Sequence, residues 1–193
     1  MMSPALSSPA RPLPLLDTPD RYGRLSRLAH WGGALLVLTL LVIGQIAEEL
    51  PKGPERKALW AWHIALGVIA FLPLLARLLW RVQAQLAGRS PQPLSPPGWQ
   101  RAAERLGHGA LLAVLAVMIV TGPLMIWSDG AAIHVLGWFS LPTPIGEHKA
   151  LHYYAGRLHG VGSKLMIVLV AIHLVGALRH GRGSLRRMAG RAG

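Results

Sequence analysis

Four histidines of this chain, His30, His63, His159 and His173, lie inside apolar stretches of the sequence. Titratable side chains are rare in such stretches and usually mark a functional site. His159 and His173 are fourteen residues apart, close to four whole turns of an α-helix, so both rings project from nearly one face. Imidazole is a frequent metal ligand. The first hypothesis is therefore ligation of a metal or a metal-containing cofactor.

The composition places these histidines in a membrane. Of the 193 residues, 52% are hydrophobic and only 15% are charged, against roughly 25% charged in soluble domains. Because lipid offers no hydrogen-bonding partners, apolar blocks of about 20 residues are expected to form spanning helices. The blocks are 28–46, 59–80, 106–127 and 158–178. The sequence predicts an all-α membrane protein, a four-transmembrane-helix bundle within residues 21–185.

The basic residues predict the orientation of the bundle. Lys and Arg are most frequent before the first block, between the second and third, and after the fourth, so both termini are predicted to be cytoplasmic. The net charge of +12 is then explained by the basic residues that membrane proteins carry on the cytoplasmic side. No nucleic acid is expected as a partner. Residues 1–20 are predicted to form a flexible tail, and 186–193 a basic one. The absence of cysteine excludes disulfides, iron–sulfur clusters and the attachment of c-type haem.

This topology sorts the four histidines by depth. His30 and His173 fall near the cytoplasmic side and are called the inner pair; His63 and His159 fall near the opposite side and are called the outer pair. Two imidazoles facing each other across a flat cofactor describe a bis-histidine haem b, so two haem b groups are predicted. The alternative is ordinary hydrogen bonding between helices. A glycine three or four residues after each histidine is expected to leave room for a porphyrin edge; these are Gly33, Gly67, Gly162 and Gly176.

Two further residues are candidates for contacts with the cofactors, and a third lies near the inner pair. Arg77 follows His63 by fourteen residues, which places it near the inner haem as a propionate partner or as a snorkelling arginine. Lys164 is a candidate contact for an outer propionate or a quinone oxygen, or a snorkelling lysine. His108 is interpreted as a structural neighbour of the inner site rather than as a ligand. The remaining histidines are interpreted as solvated; they are His134, His148, His152 and His180.

Several short motifs resemble bacterial cytochrome b561 over residues 20–185. They are RLAHWGGALL at 27–36, WHIALG and RLLWR at 62–81, LGHGALL at 106–112, and LHGVG and AIHLVGALRH at 158–180. The resemblance implies haem ligation by one histidine on each of the first two spans and two on the fourth. It further implies electron transfer, in the bacterial inner membrane, between a periplasmic reactant and quinone. One branch of the family oxidises superoxide and reduces ubiquinone, and the compact four-span chain resembles that branch.

Three functions remain open on the sequence. The first is a superoxide:ubiquinone oxidoreductase. The second is a cytochrome b subunit without catalysis of its own, docked to a periplasmic dehydrogenase or hydrogenase. The third is a small transporter or proton channel that uses the histidines as a relay, for which no haem is expected.

Overall fold

Four long helices form the body of the protein. The computed structural model describes residues 14–19, 21–93, 95–179, 181 and 188. The helices are α1 (Arg24–Glu49), α2 (Pro54–Leu86), α3 (Trp99–Trp127) and α4 (Lys149–Arg179). The shortest, α1, has 26 residues, which at about 1.5 Å per residue exceeds the roughly 30 Å hydrocarbon core of a bilayer. All four are long and apolar enough to cross a membrane, which confirms the predicted fold class.

Local sequence explains where several helices begin and end. α1 ends at Glu49, just before Pro51, because proline cannot donate the backbone hydrogen bond that continues a helix. Pro54 lies in the first turn of α2, where no N–H is needed, and Glu55 follows it at the positive end of the helix dipole. Gly98 precedes α3 with a φ of 118°, a conformation that side chains disfavour.

The helices pack as two hairpins, α1 with α2 and α3 with α4. Contact within each hairpin is more extensive than the contact between α2 and α3. The buried core between them is small, and it consists of Ala70, Leu74, Val114, Leu115, Ile119 and Met166. Many large apolar side chains instead point outward, as expected when the solvent is lipid. The histidines, described below, lie where the two hairpins face each other.

A short β-hairpin in the connection between α3 and α4 was not predicted. Strand β1 (Ile133–Val135) pairs antiparallel with β2 (Phe139–Leu141), and His134 lies opposite Ser140. Ile133 and Val135 are buried, and β1 contacts α2 and α3. Strands of three residues are too short for their alternating pattern to be recognised in the sequence. The hairpin therefore covers the end of the bundle at which α2 begins.

The N-terminal strap, residues 14–19 and 21–23, is held against the body of the protein. The carbonyl of Pro14 accepts from the Arg24 N–H at 2.9 Å, and the buried Asp17 accepts from the Gly23 N–H at 2.8 Å. Asp17 also lies 3.7 Å from the guanidinium of Arg81 in α2. The predicted flexible tail thus has ordered contacts over residues 14–19, because backbone hydrogen bonds and a buried carboxylate replace the missing apolar face. Residues 1–13 and 20 lie outside the described chain.

Candidate functional site

The four histidines singled out in the sequence meet in two pairs, and each pair joins the two helical hairpins. His30 of α1 faces His173 of α4, with ring centroids 6.2 Å apart and planes inclined at 55°. His63 of α2 faces His159 of α4, with centroids 6.3 Å apart and planes inclined at 87°. The structure therefore brings together the same partners as the depth analysis.

Both separations are compatible with one metal ion between two imidazoles. A metal–nitrogen bond of about 2 Å on each side, plus roughly 1 Å from each nitrogen to its ring centre, places the centroids about 6 Å apart. Direct edge-to-face contact between two rings covers about 4.5–7 Å, so the distance fits both arrangements. A ring can ligate a metal only through a nitrogen that keeps its lone pair, so the position of the ring proton distinguishes the two arrangements better than the distance does.

In the outer pair, both rings use Nδ1 as a hydrogen-bond donor. The Nδ1 of His63 lies 3.1 Å from the carbonyl of Leu40, which can only accept. The Nδ1 of His159 lies 3.0 Å from the Thr121 hydroxyl, and that hydroxyl gives its proton to the Val117 carbonyl at 2.7 Å. Since a neutral imidazole has one proton, both Nε2 atoms keep a lone pair. This is the tautomer that binds a metal through Nε2.

The inner pair has a different surrounding. The Nη2 of Arg77 donates to Nδ1 of His30 at 3.2 Å, so in this arrangement the proton of His30 is on Nε2. Ligation through Nε2 requires the opposite tautomer, and Arg77 has no acceptor to offer it. A haem held by His30 therefore requires the guanidinium to turn from Nδ1 toward another acceptor. A porphyrin propionate is an acceptor of the right charge.

Comparison with known proteins decides the family. Residues 21–191 match the sequence model of prokaryotic cytochrome b561. The chain is also 32% identical over 187 residues to cytochrome b561 homolog 2 of Escherichia coli (strain K12). The aligned region covers 91% of this chain and 95% of that relative. The chain belongs to the prokaryotic cytochrome b561 family. It is thus a multi-pass membrane cytochrome, with b-type haem and electron transfer as its chemistry. This membership replaces the hypothesis of a transporter without haem.

In this cytochrome, His108 of α3 also lies beside the inner pair. Its ring centroid is 5.3 Å from that of His173, with the planes inclined at 68°. Two rings that share a metal ion have their centroids about 6 Å apart, and the separation between His108 and His173 is shorter than that. His108 is therefore in edge contact with His173, in keeping with its interpretation as a structural neighbour.

The glycines that follow the histidines have different surroundings. A Cβ built at Gly67 or Gly176 would meet no atom within 4 Å, which leaves the space that the cofactor hypothesis needs. A Cβ at Gly33 would lie 2.6 Å from Cδ of Arg77, and one at Gly162 would lie 2.8 Å from Sδ of Met118. At these two positions a protein side chain takes the place expected for the porphyrin edge.

Two other glycines, which the sequence analysis missed, face the outer pair. A Cβ at Gly44 would lie 3.2 Å from Cε1 of His63, and one at Gly122 would lie 3.4 Å from Cε1 of His159. A signal for both was present. Gly44 follows His30 by fourteen residues, and Gly122 follows His108 by fourteen, the spacing that also relates His159 to His173. In each helix, that spacing marks two depths on one face.

The remaining candidates have protein partners away from the histidine pairs. Lys164 lies 3.9 Å from Glu48 of α1. His152, predicted in a loop, lies in the first turn of α4 and donates from Nδ1 to the Met125 carbonyl at 2.8 Å. His134 hydrogen-bonds to Ser140 across the β-hairpin. His180 and most of the basic C-terminal tail lie outside the described residues.

Proposed function

We propose that the chain binds two haem b groups, one at each histidine pair, and transfers electrons from a periplasmic donor to ubiquinone. The proposed location is the bacterial inner membrane, with both termini cytoplasmic. The observation that carries the proposal is that two histidine pairs, one at each depth, join the two hairpins at separations of 6.2 Å and 6.3 Å that admit one metal ion each. Two equal gaps of this width, each bridging the same two hairpins, fit two equivalent metal centres.

Each residue then has a distinct task. Bound between the histidines, haem b supplies one-electron oxidation and reduction of its iron. The histidines of each pair would hold the iron through Nε2. Leu40 and Thr121 fix the orientation of the outer rings by accepting from Nδ1. Arg77, which contacts His30 in the structure, would pair with an inner propionate.

Superoxide is the proposed electron donor. Two superoxide anions each lose one electron and become O2, and ubiquinone takes up two electrons and two protons to become ubiquinol. Exposed cations at the outer end, such as Lys52 and Lys57, attract a small anion. The attraction is moderate, because Lys149 lies 3.8 Å from Glu147 and Lys164 lies 3.9 Å from Glu48.

The cofactor part of the proposal is tested by a pyridine haemochrome count on the detergent-purified chain. The wild type is expected to contain two b-type haems per chain. His173→Ala and His159→Ala are each expected to retain one, and the double variant none. A wild-type content of one haem per chain would overturn the two-haem proposal.

The second candidate is an electron-transfer subunit docked to a periplasmic redox protein. The observation that favours it is the outer β-hairpin, where Trp138 and Phe139 are 73% and 48% exposed. Residues 130–146 also contain no Asp, Glu, Lys or Arg, so this surface is apolar enough to bind a partner.

One assay separates the two candidates. The purified chain is supplied with enzymatically generated superoxide and a soluble ubiquinone analogue, and quinone reduction is followed optically with and without superoxide dismutase. Dismutase-sensitive turnover by the chain alone supports the oxidoreductase. If haem reduction instead requires a periplasmic partner protein, the subunit proposal replaces it.

A further inference from the structure

The two histidine pairs differ in what lies against Nδ1 of their rings. In the outer pair, Nδ1 of His63 faces a carbonyl oxygen at 3.1 Å. Nδ1 of His159 faces the oxygen of Thr121 at 3.0 Å. Both acceptors are set within the bundle, since Leu40 belongs to the partly buried surroundings of the core and Thr121 is 5% exposed. The outer rings therefore both donate.

At His30 of the inner pair, a cation takes the place of an acceptor. The guanidinium of Arg77 lies 3.2 Å from Nδ1 of His30. Its stem passes over Gly33, where a Cβ would be 2.6 Å from Cδ of Arg77, so the absence of a side chain at Gly33 admits the arginine between α1 and α2. The charge stays beside the inner pair whether the guanidinium contacts His30 or turns to a propionate.

These contacts have opposite effects on the reduction potential of a ligated iron. An imidazole that donates from Nδ1 to an oxygen becomes a more basic ligand and stabilises the ferric state. A nearby positive charge stabilises the ferrous state, which carries one positive charge less, and pairing with a propionate acts in the same direction. Both effects are strong away from water, where electrostatic interactions are weakly screened.

We propose that Thr121 and Arg77 give the two haem sites unequal reduction potentials, lower at the outer pair and higher at the inner pair. Resting on the two-haem function proposed above, this assigns a direction: an electron leaves the outer site and arrives at the inner one. Thr121 and Arg77 are positioning and tuning residues, since neither ligates the iron. The hydrogen bond from His63 to Leu40 acts with Thr121, although a backbone carbonyl cannot be removed by side-chain substitution.

The test is a spectroelectrochemical titration of the haem-loaded chain, which measures two midpoint potentials. Thr121→Val keeps the shape of the side chain but removes the acceptor for His159, and the lower midpoint is expected to rise. Thr39→Val makes the same change elsewhere in a span and is expected to move neither midpoint. The haem with the lower midpoint is assigned to the outer pair by its loss in His63→Ala.

The second half of the test concerns Arg77. Arg77→Gln removes the charge, and the higher midpoint is expected to fall while the lower one stays. Arg77→Lys keeps the charge and is expected to restore most of the shift. Arg105→Gln removes an exposed cation of α3 and serves as the matched control.

The outcomes separate this proposal from the two-haem function. Two haems whose midpoints do not respond to Thr121→Val and Arg77→Gln, or a lower midpoint that belongs to the inner pair, would overturn the proposed asymmetry and leave the two-haem function intact. A wild-type titration with a single haem would overturn the two-haem function itself. Where a variant loses haem, circular dichroism of its helices distinguishes misfolding from loss of a ligand contact.

Discussion

His108 of α3 lies with its ring 5.3 Å from that of His173, closer than His30, whose ring is 6.2 Å from His173. Proximity alone would favour His108 as the partner of His173. The metal–imidazole bond length favours His30, because a shared ion keeps two ring centres about 6 Å apart. His173 therefore has one neighbour too close to share a metal ion with it and another at a distance that allows one.

The first prediction follows from this difference. His108→Phe is expected to retain two haems per chain, since the ring contact with His173 is preserved and no ligand is lost. His30→Ala is expected to retain one haem, because the inner pair loses one of its two proposed ligands. The pyridine haemochrome assay measures both. A His108→Phe chain that has lost one haem, beside a His30→Ala chain that has kept both, would assign the ligand role to His108.

The second prediction concerns Gly33 and its neighbour Gly32. A Cβ at Gly33 would overlap the stem of Arg77 at 2.6 Å, whereas a Cβ at Gly32 would meet nothing within 4 Å. Gly33→Ala is expected to displace Arg77 and to be less stable than Gly32→Ala by about 1–3 kcal/mol, because both variants gain the same helix propensity and only Gly33→Ala is overpacked. Thermal unfolding in detergent measures the effect, with Gly32→Ala as the matched control.

If Gly33→Ala and Gly32→Ala unfold at the same temperature, the close contact between α1 and Arg77 is not a constraint on packing. The midpoint of the inner haem gives an independent reading, since a displaced Arg77 is expected to lower it in Gly33→Ala only.

The third prediction concerns the N-terminal strap. Asp17 is 8% exposed and accepts from the Gly23 N–H at 2.8 Å, while Arg81 lies 3.7 Å away. Asp17→Ala leaves the Gly23 N–H without its acceptor and Arg81 without its ion-pair partner, so the free energy of unfolding is expected to fall by about 1–3 kcal/mol. Thermal unfolding and the rate of proteolysis within residues 14–23 measure it.

Two further variants separate the contributions of Asp17. Asp17→Asn keeps an oxygen for Gly23 but removes the charge opposite Arg81, so its loss of stability is expected to be smaller than that of Asp17→Ala. Asp129→Ala at an exposed position is expected to change stability by no more than about 0.5 kcal/mol. A strap equally resistant to protease in Asp17→Ala and the wild type would contradict the role given to this carboxylate.

The fourth prediction concerns Lys164 and Glu48. Their side chains are 69% and 49% exposed and 3.9 Å apart. A double-mutant cycle with Lys164→Ala and Glu48→Ala is expected to give a coupling below about 1 kcal/mol, because Glu48 lies in the last turn of α1, at the end of the bundle, where water screens ion pairs. The haem content of Lys164→Ala is expected to equal that of the wild type. Loss of the outer haem in this variant would instead favour the propionate contact considered from the sequence.

The sequence was sufficient for the four spans and for the selection of the histidine pairs. Both depend on local quantities: the length of apolar blocks against the thickness of a bilayer, and the rotation and rise of a helix over fourteen residues. His159 and His173 share a face of α4 because of their spacing alone. The depth of His30 and His63 then leaves each only one partner on that helix.

The surroundings of the histidines were decided by the tertiary structure. Every residue has a backbone carbonyl, so nothing in the sequence singles out Leu40 as the acceptor for His63. Thr121 is one threonine among several, and only the packing of α3 on α4 places it against His159. Hydrogen bonds of this kind join residues that are 23 and 38 positions apart, beyond the reach of any local pattern.

The same limit explains the strap and the partner of Arg77. A proline-rich segment without an apolar face is expected to remain flexible, and its order depends on one carboxylate that meets Gly23 and Arg81 only in the folded chain. Helical periodicity placed Arg77 at the depth of the inner pair. Its contact with His30 required α1 and α2 to approach closely at Gly33. Helix rotation and membrane depth thus follow from the sequence, whereas the hydrogen bonds around the histidines form only once the helices have packed.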